Sequence, residues 1–291
     1  MTAEATQWRA PKAAHHLTHL LDALAAAGGY SRFPVDVKEL ALGCAPLFHW
    51  SDPITQVEPA NIRGFEGALF PKDGRKSWLL LYNDALRSPG RVRFTQAHEL
   101  GHYILHRTIR DSFECTEADM LHWSLDDQDI EAQADVFASY LLMPLPDYRQ
   151  QVNGVVDLEL MGHCADRYGV SLTAAILKWL SYTEEKAVVV MSIDGYMKWA
   201  WSSTPAFKAG AFYRTRNNTI AIPAGTLTAD DAVKVDRRGV SVPAALWFPH
   251  AEPQMVLREM KLYSDHYDVV MTLLVLPRGA SAWPPREEAD D

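Results

Sequence analysis

Two histidines one helical turn apart, with a glutamate directly after the first, stand in His98-Glu99-Leu100-Gly101-His102. On a helix that rises ~1.5 Å per residue their imidazoles lie ~6 Å apart along one face, near enough to share a metal ion at Zn–N distances of ~2.0–2.1 Å. Glu99 is then no ligand. Its place beside His98 suits a carboxylate that takes a proton from water, whose pKa a zinc ion lowers from ~15.7 toward ~7. A candidate third ligand is Glu131, 29 residues after His102, at the head of Glu131-Ala-Gln-Ala-Asp-Val-Phe-Ala-Ser-Tyr-Leu-Leu-Met-Pro144. Asp135 lies one turn further on the same face, placed to accept the N–H of a metal-bound histidine and fix its tautomer. Three protein ligands leave zinc a fourth position for water, and the chemistry this spacing supports is hydrolysis.

A single histidine on an amphipathic helix is usually a packing residue, whereas two at i, i+4 with a glutamate between them and a carboxylate downstream argue for a metal. His106, again four residues after His102, reads as a group behind the ligands or as packing. His122, in an acidic stretch, is a candidate donor to the transition state. The other seven of the eleven histidines read as ordinary.

Those residues need two helices to carry them. From Val92 to Arg107 the residues Phe94, Ala97, Gly101, Ile104 and Leu105 fall on one helical face, and Ile130 to Met143 forms a second amphipathic run stopped by Pro144 and Pro146. Upstream, His15 to Ala26 and Val37 to Leu42 have helical spacing. Phe65 to Phe70, the turn Pro71 to Gly74, and Ser77 to Tyr82 read as a β-hairpin. The strand Ser77 to Tyr82 either offers an edge to an extended substrate or lies inside the core. Leu158 to Tyr168 and Leu172 to Leu180, joined by Gly169-Val170-Ser171 with Ser171 as N-cap, superficially resemble a helix-turn-helix. Only Arg167 and Lys178 are basic there, which favours packing over groove binding. From Lys186 onward the pattern is strand-like: Ala187 to Ile193, Tyr196 to Trp201, Thr219 to Ile222, Gly239 to Val242 and Val269 to Leu276.

Composition narrows the classes. The 291 residues are 48% hydrophobic, 22% charged and 10% aromatic, which excludes a disordered chain. Charge-free stretches such as Gly239 to Ala251 hold prolines and fall short of the ~18 residues of a membrane span. Met1 to Arg9 has no apolar signal region. A net charge of −9 disfavours direct binding of nucleic acid. Cys44, Cys115 and Cys164 form no CxxC pair, which fits a reduced, cytoplasmic chain. The segment Asp111 to Tyr148 is rich in Asp and Glu with no Lys or Arg, so it either steers a basic partner or is a solvated loop.

Arg93-Phe-Thr-Gln-Ala-His-Glu-Leu-Gly-His-Tyr-Ile-Leu-His106 together with the Glu131 to Pro144 segment resembles the ImmA/IrrE family of metallopeptidases, with weaker similarity from about residue 14 to 182. The resemblance implies a gluzincin-like core with His98, His102 and Glu131 as zinc ligands and Glu99 as catalytic base. It further implies a bacterial or phage protein that cleaves a helix-turn-helix repressor, so that stress or another signal derepresses genes. Asp135 stands where many members have Asn, which leaves its orienting role intact. Members with an attached DNA-binding domain usually carry it N-terminally, and the short stretch before the hairpin leads us to expect none here.

The expected fold is α+β: a helical zinc-metallopeptidase core with a small sheet over residues 1–185, a β-rich domain over 186–283 that is either an aromatic-rich structural core or a sensor or substrate-docking module, and an acidic tail over 284–291. Three functions compete: a zinc endopeptidase acting on a regulatory protein, a non-catalytic regulator or toxin–antitoxin component that binds a partner with the same fold, and a zinc hydrolase of a small molecule. An intact Glu99 favours the first, since a binding module needs no base beside its ligands.

Overall fold

The computed structural model describes residues 8–28, 31–62, 64–85, 88–110, 112–116 and 130–284. Within them the chain is α+β, with two compact units: residues 1–153 with 164–174, and residues 154–163 with 175–291.

The first unit opens with α1 (Ala10–Gly28) and α2 (Val37–Gly43), the latter started by Asp36, whose side chain accepts from the Glu39 N–H. After a 3-10 turn (Ala45–Phe48) come β1 (Ile54–Pro59), β2 (Phe65–Lys72), β3 (Ser77–Tyr82), α3 (Pro89–His106), β4 (Phe113–Thr116), α4 (Ile130–Leu142) and α5 (Leu145–Gln151). The expected hairpin forms, with Leu69 opposite Leu80, and its turn holds Asp73 and Gly74 at positive φ. The sheet order is β1-β3-β2-β4, with β1 parallel to β3 and the remaining pairs antiparallel. An edge role for Ser77 to Tyr82 is therefore wrong. β3 is hydrogen-bonded on both sides, and its Trp78 and Leu80 are fully buried. Among the described residues the edges are β1, which ends in a proline, and β4, which is only four residues long; strands of that kind leave little periodic signal.

α3 starts where Ser88 accepts from the Arg91 N–H and Pro89 occupies the first helical position. Against it pack α4 and α1, and the helix pair buries Phe94, Ala97, Leu100, Ile104, Phe137, Ala138 and Leu141. Two glycines set how close the neighbours come. A Cβ on Gly90 would lie 2.5 Å from the Val170 carbonyl carbon, and one on Gly101 would lie 3.2 Å from Ala134 Cα. The turn Gly169-Val170-Ser171 between α6 (Leu158–Tyr168) and α7 (Leu172–Leu180) is thus seated against the start of α3, where Arg93 also donates to the Gly169 carbonyl. Ser171 caps α7 as expected, and residues 174–180 of α7 are all buried.

The second unit is one antiparallel sheet in the order β6-β5-β9-β8-β7, built from β5 (Lys186–Ile193), β6 (Tyr196–Ser202), β7 (Val235–Pro243), β8 (Val256–Ser264) and β9 (Val269–Leu276), with short helices α8 (Thr204–Lys208) and α9 (Ala244–Trp247). Val188, Val190, Leu257, Leu274, Leu276 and Trp247 form its core. The expected strand Thr219 to Ile222 is only a single bridge, Tyr196 to Ala221. β8 was missed because its inward-facing positions include Glu259 and Lys261, buried charges where periodicity asks for apolar residues. Glu259 accepts from the Thr228 N–H and hydroxyl and from Trp247 Nε1, while Lys261 donates to the Leu227 and Asp230 carbonyls. These bonds pin the connection after β6 across the sheet. No helix among the described residues is long and apolar enough to cross a membrane.

Candidate metal centre

α3 carries His98, Glu99, His102 and His106, all buried, and α4 brings Glu131 and Asp135 to meet them. The approach depends on Gly101, inside the motif itself, which lets the α4 backbone lie against α3 at Ala134. Glu131 Oε2 is 3.2 Å from both His98 Nε2 and His102 Nε2, and those two nitrogens are 3.0 Å apart. A tetrahedral zinc with bonds of ~2.0–2.1 Å has ligand-to-ligand edges of about 3.3 Å, so the three atoms form one face of such a polyhedron. His98, His102 and Glu131 are the one group of three or more potential ligands among the described residues.

The protonation states suit a cation. Burial pushes the His102 pKa down to about 3, so its ring is neutral. Burial alone would raise the Glu131 carboxyl, but the neighbouring His102 and His98 outweigh it and hold the group well below the usual carboxylate range. A neutral imidazole and an ionised carboxylate are ligand forms that metal binding requires. His98 Nδ1 lies 2.8 Å from Asp135 Oδ1, so the N–H on that side donates to the carboxylate and the Nε2 lone pair faces Glu131. His102 Nδ1 lies 3.1 Å from His106 Nδ1, and Phe113 of β4 stacks on the His102 ring at 4.5 Å between centroids. His106 therefore stands behind His102, on the side away from Glu131. Three acceptor atoms crowded to 3.0–3.2 Å repel unless a cation sits among them, and this donor set fits a divalent metal.

Glu99, fully buried, turns away from α4 toward the sheet. A Cβ on Gly67 of β2 would stand 2.7 Å from Glu99 Oε1 and 2.6 Å from Thr95 Cγ2, so Gly67 is the space the carboxylate occupies. Sequence reasoning passed over Gly67, although a glycine inside a strand is itself a sign of close approach. It also passed over Gln133, whose Oε1 lies 3.4 Å from His106 Nε2. His122, the candidate transition-state donor, lies outside the described residues, as do most of the acidic stretch that follows β4 and the tail after Pro284. Cys44 and Cys164 are buried free thiols, and burial pushes their pKa values up to about 12 and about 11, which leaves them unreactive.

No curated protein matches the chain. Residues 55–180, which span β1 through α7 and hold every residue of the centre, match the family model Peptidase_M78, described as the IrrE N-terminal-like domain. The metal-bearing part of this chain is therefore similar to the ImmA/IrrE family of metallopeptidases.

Proposed function

We propose that the chain is a zinc endopeptidase that cuts a partner regulatory protein, a helix-turn-helix repressor, and so derepresses the genes it controls. The observation that carries this reading is the convergence of His98, His102 and Glu131 from two helices on one point, with Glu99 fully buried on the helix that bears the two histidines. His98, His102 and Glu131 would hold the zinc. When bound, that ion supplies Lewis acidity, which acidifies water and stabilises negative charge developing on a scissile carbonyl. Glu99 then takes the proton from the water and returns it to the leaving amine, a transfer that its position beside His98 allows. Asp135 holds the His98 ring in register through its Nδ1–H. Among the described residues β4 is an edge strand, next to His102, and an extended substrate segment would pair with its outer side.

The acidic composition between Asp111 and Tyr148 favours a basic partner such as a DNA-binding protein. The second unit, with a cavity of about 670 Å³ lined by Asp194, Asp231, Lys234, Lys261, Tyr263 and Asp268 among others, is the part we propose for sensing or docking. The reduced thiols agree with a cytoplasmic site of action. The test is incubation of the purified chain with the repressor-like protein encoded beside it, with and without a chelator, alongside Glu99→Gln. We expect chelator-sensitive cleavage by the wild type, and zinc retention without cleavage by the variant. A variant that cuts at the wild-type rate removes Glu99 from the mechanism. Absence of cleavage in every arm favours the non-catalytic, partner-binding reading.

A further inference from the structure

We infer that Gln133 and His106 form a neutral hydrogen-bonded relay that sets which nitrogen of His102 faces the metal position. A neutral imidazole has one donor and one acceptor nitrogen, so an accepting atom placed at one side decides the other. The Gln133 amide oxygen lies 3.4 Å from His106 Nε2 and receives its N–H. That leaves a lone pair on His106 Nδ1, which accepts from His102 Nδ1–H at 3.1 Å. His102 Nε2 is then bare, 3.2 Å from Glu131 Oε2.

A second chain reaches the same point independently. Asp135 accepts from His98 Nδ1–H and leaves His98 Nε2 bare, 3.0 Å from His102 Nε2. Turned over, the Gln133 amide would reverse the first chain and put a proton on His102 Nε2, in the place a metal would occupy. The two histidines are therefore oriented by different means, one by a carboxylate and the other by a neutral amide acting through an imidazole. α4 supplies both orienting groups as well as Glu131. Gln133 and His106 are positioning residues, since neither touches the metal position.

The relay rests on the metal-centre reading, and the test separates the two. In metal-free wild type above neutral pH, long-range proton–nitrogen NMR spectra should show the proton on Nδ1 of His102 and on Nε2 of His106. Gln133 is only half-buried, so Gln133→Leu should fold as the wild type does by circular dichroism. Its zinc affinity in chelator competition should fall by about 10- to 100-fold, the usual effect of losing an outer partner of a ligand. Gln133→Glu keeps an acceptor in place and should hold zinc at least as tightly as the wild type. A His102 proton on Nε2 in the metal-free wild type, or a Leu variant with wild-type affinity, overturns the relay. Wild-type protein that takes up no zinc while showing the assigned tautomers overturns the metal centre instead.

Discussion

Glu99 and Gly67 show how much one side chain depends on another that sequence cannot pair with it. His98, His102, Glu131 and Asp135 were readable because each pair is one helical turn apart and a turn fixes a face. Gly67 lies 32 residues before Glu99, on a strand, and only the fold brings the two together. Its missing Cβ has a testable consequence. Gly67→Ala would place a methyl 2.7 Å from Glu99 Oε1 and 2.6 Å from Thr95 Cγ2, so the carboxylate must move. Displacing a reacting group by an ångström costs about 10²-fold in rate. Gly67→Ala should therefore lower kcat by about 10- to 100-fold while leaving zinc content and KM near wild type. Both can be read from steady-state kinetics and metal analysis on the same preparation. Unchanged kcat would mean that the carboxylate position is not set by β2.

At the scale of elements, α4 is legible to within a residue and α3 to within its first turn because each has a long apolar stripe, while β8 is lost to its own chemistry. Glu259 and Lys261 face inward where alternation asks for apolar side chains, and their cost is met by hydrogen bonds from Thr228 and Trp247 and to two carbonyls, none of which a local pattern reveals. The contact between α3 and α4 is where packing turns into chemistry. Alanine at position 101 would gain about 1 kcal/mol of helix propensity over glycine. Its Cβ would meet Phe137 Cδ1 at 3.1 Å and the α4 backbone at 3.2 Å, and that backbone cannot yield without carrying Glu131 with it. The two effects oppose one another in stability and do not in binding. Gly101→Ala should melt within a few degrees of the wild type and bind zinc about tenfold more weakly, since ligand geometry and not fold stability has changed. Chelator competition reads the affinity. An affinity equal to that of the wild type would show that α4 has slack at Ala134.

For the whole molecule, all three candidate metal ligands lie in the first unit, whereas the second has its own core around Trp247 and its own buried polar network. Stability of the two should accordingly respond to different perturbations. Zinc at about 1,000 times its dissociation constant contributes roughly 4 kcal/mol to whatever unfolds with the site, so a chelator should lower the melting of the first unit. Glu259→Gln acts elsewhere. Both carboxylate oxygens are engaged, one by the Thr228 N–H and hydroxyl and the other by Trp247 Nε1. An amide can accept at only one of them, and its NH₂ group would then face a donor. One buried donor left without a partner costs about 1–3 kcal/mol, which should lower the melting of the second unit by several degrees. Calorimetry with and without a chelator assigns each transition, and metal analysis of Glu259→Gln should return wild-type zinc. Loss of zinc in that variant would mean that the metal centre draws on the second unit for its stability, and the separation drawn from the ligands' positions would fail.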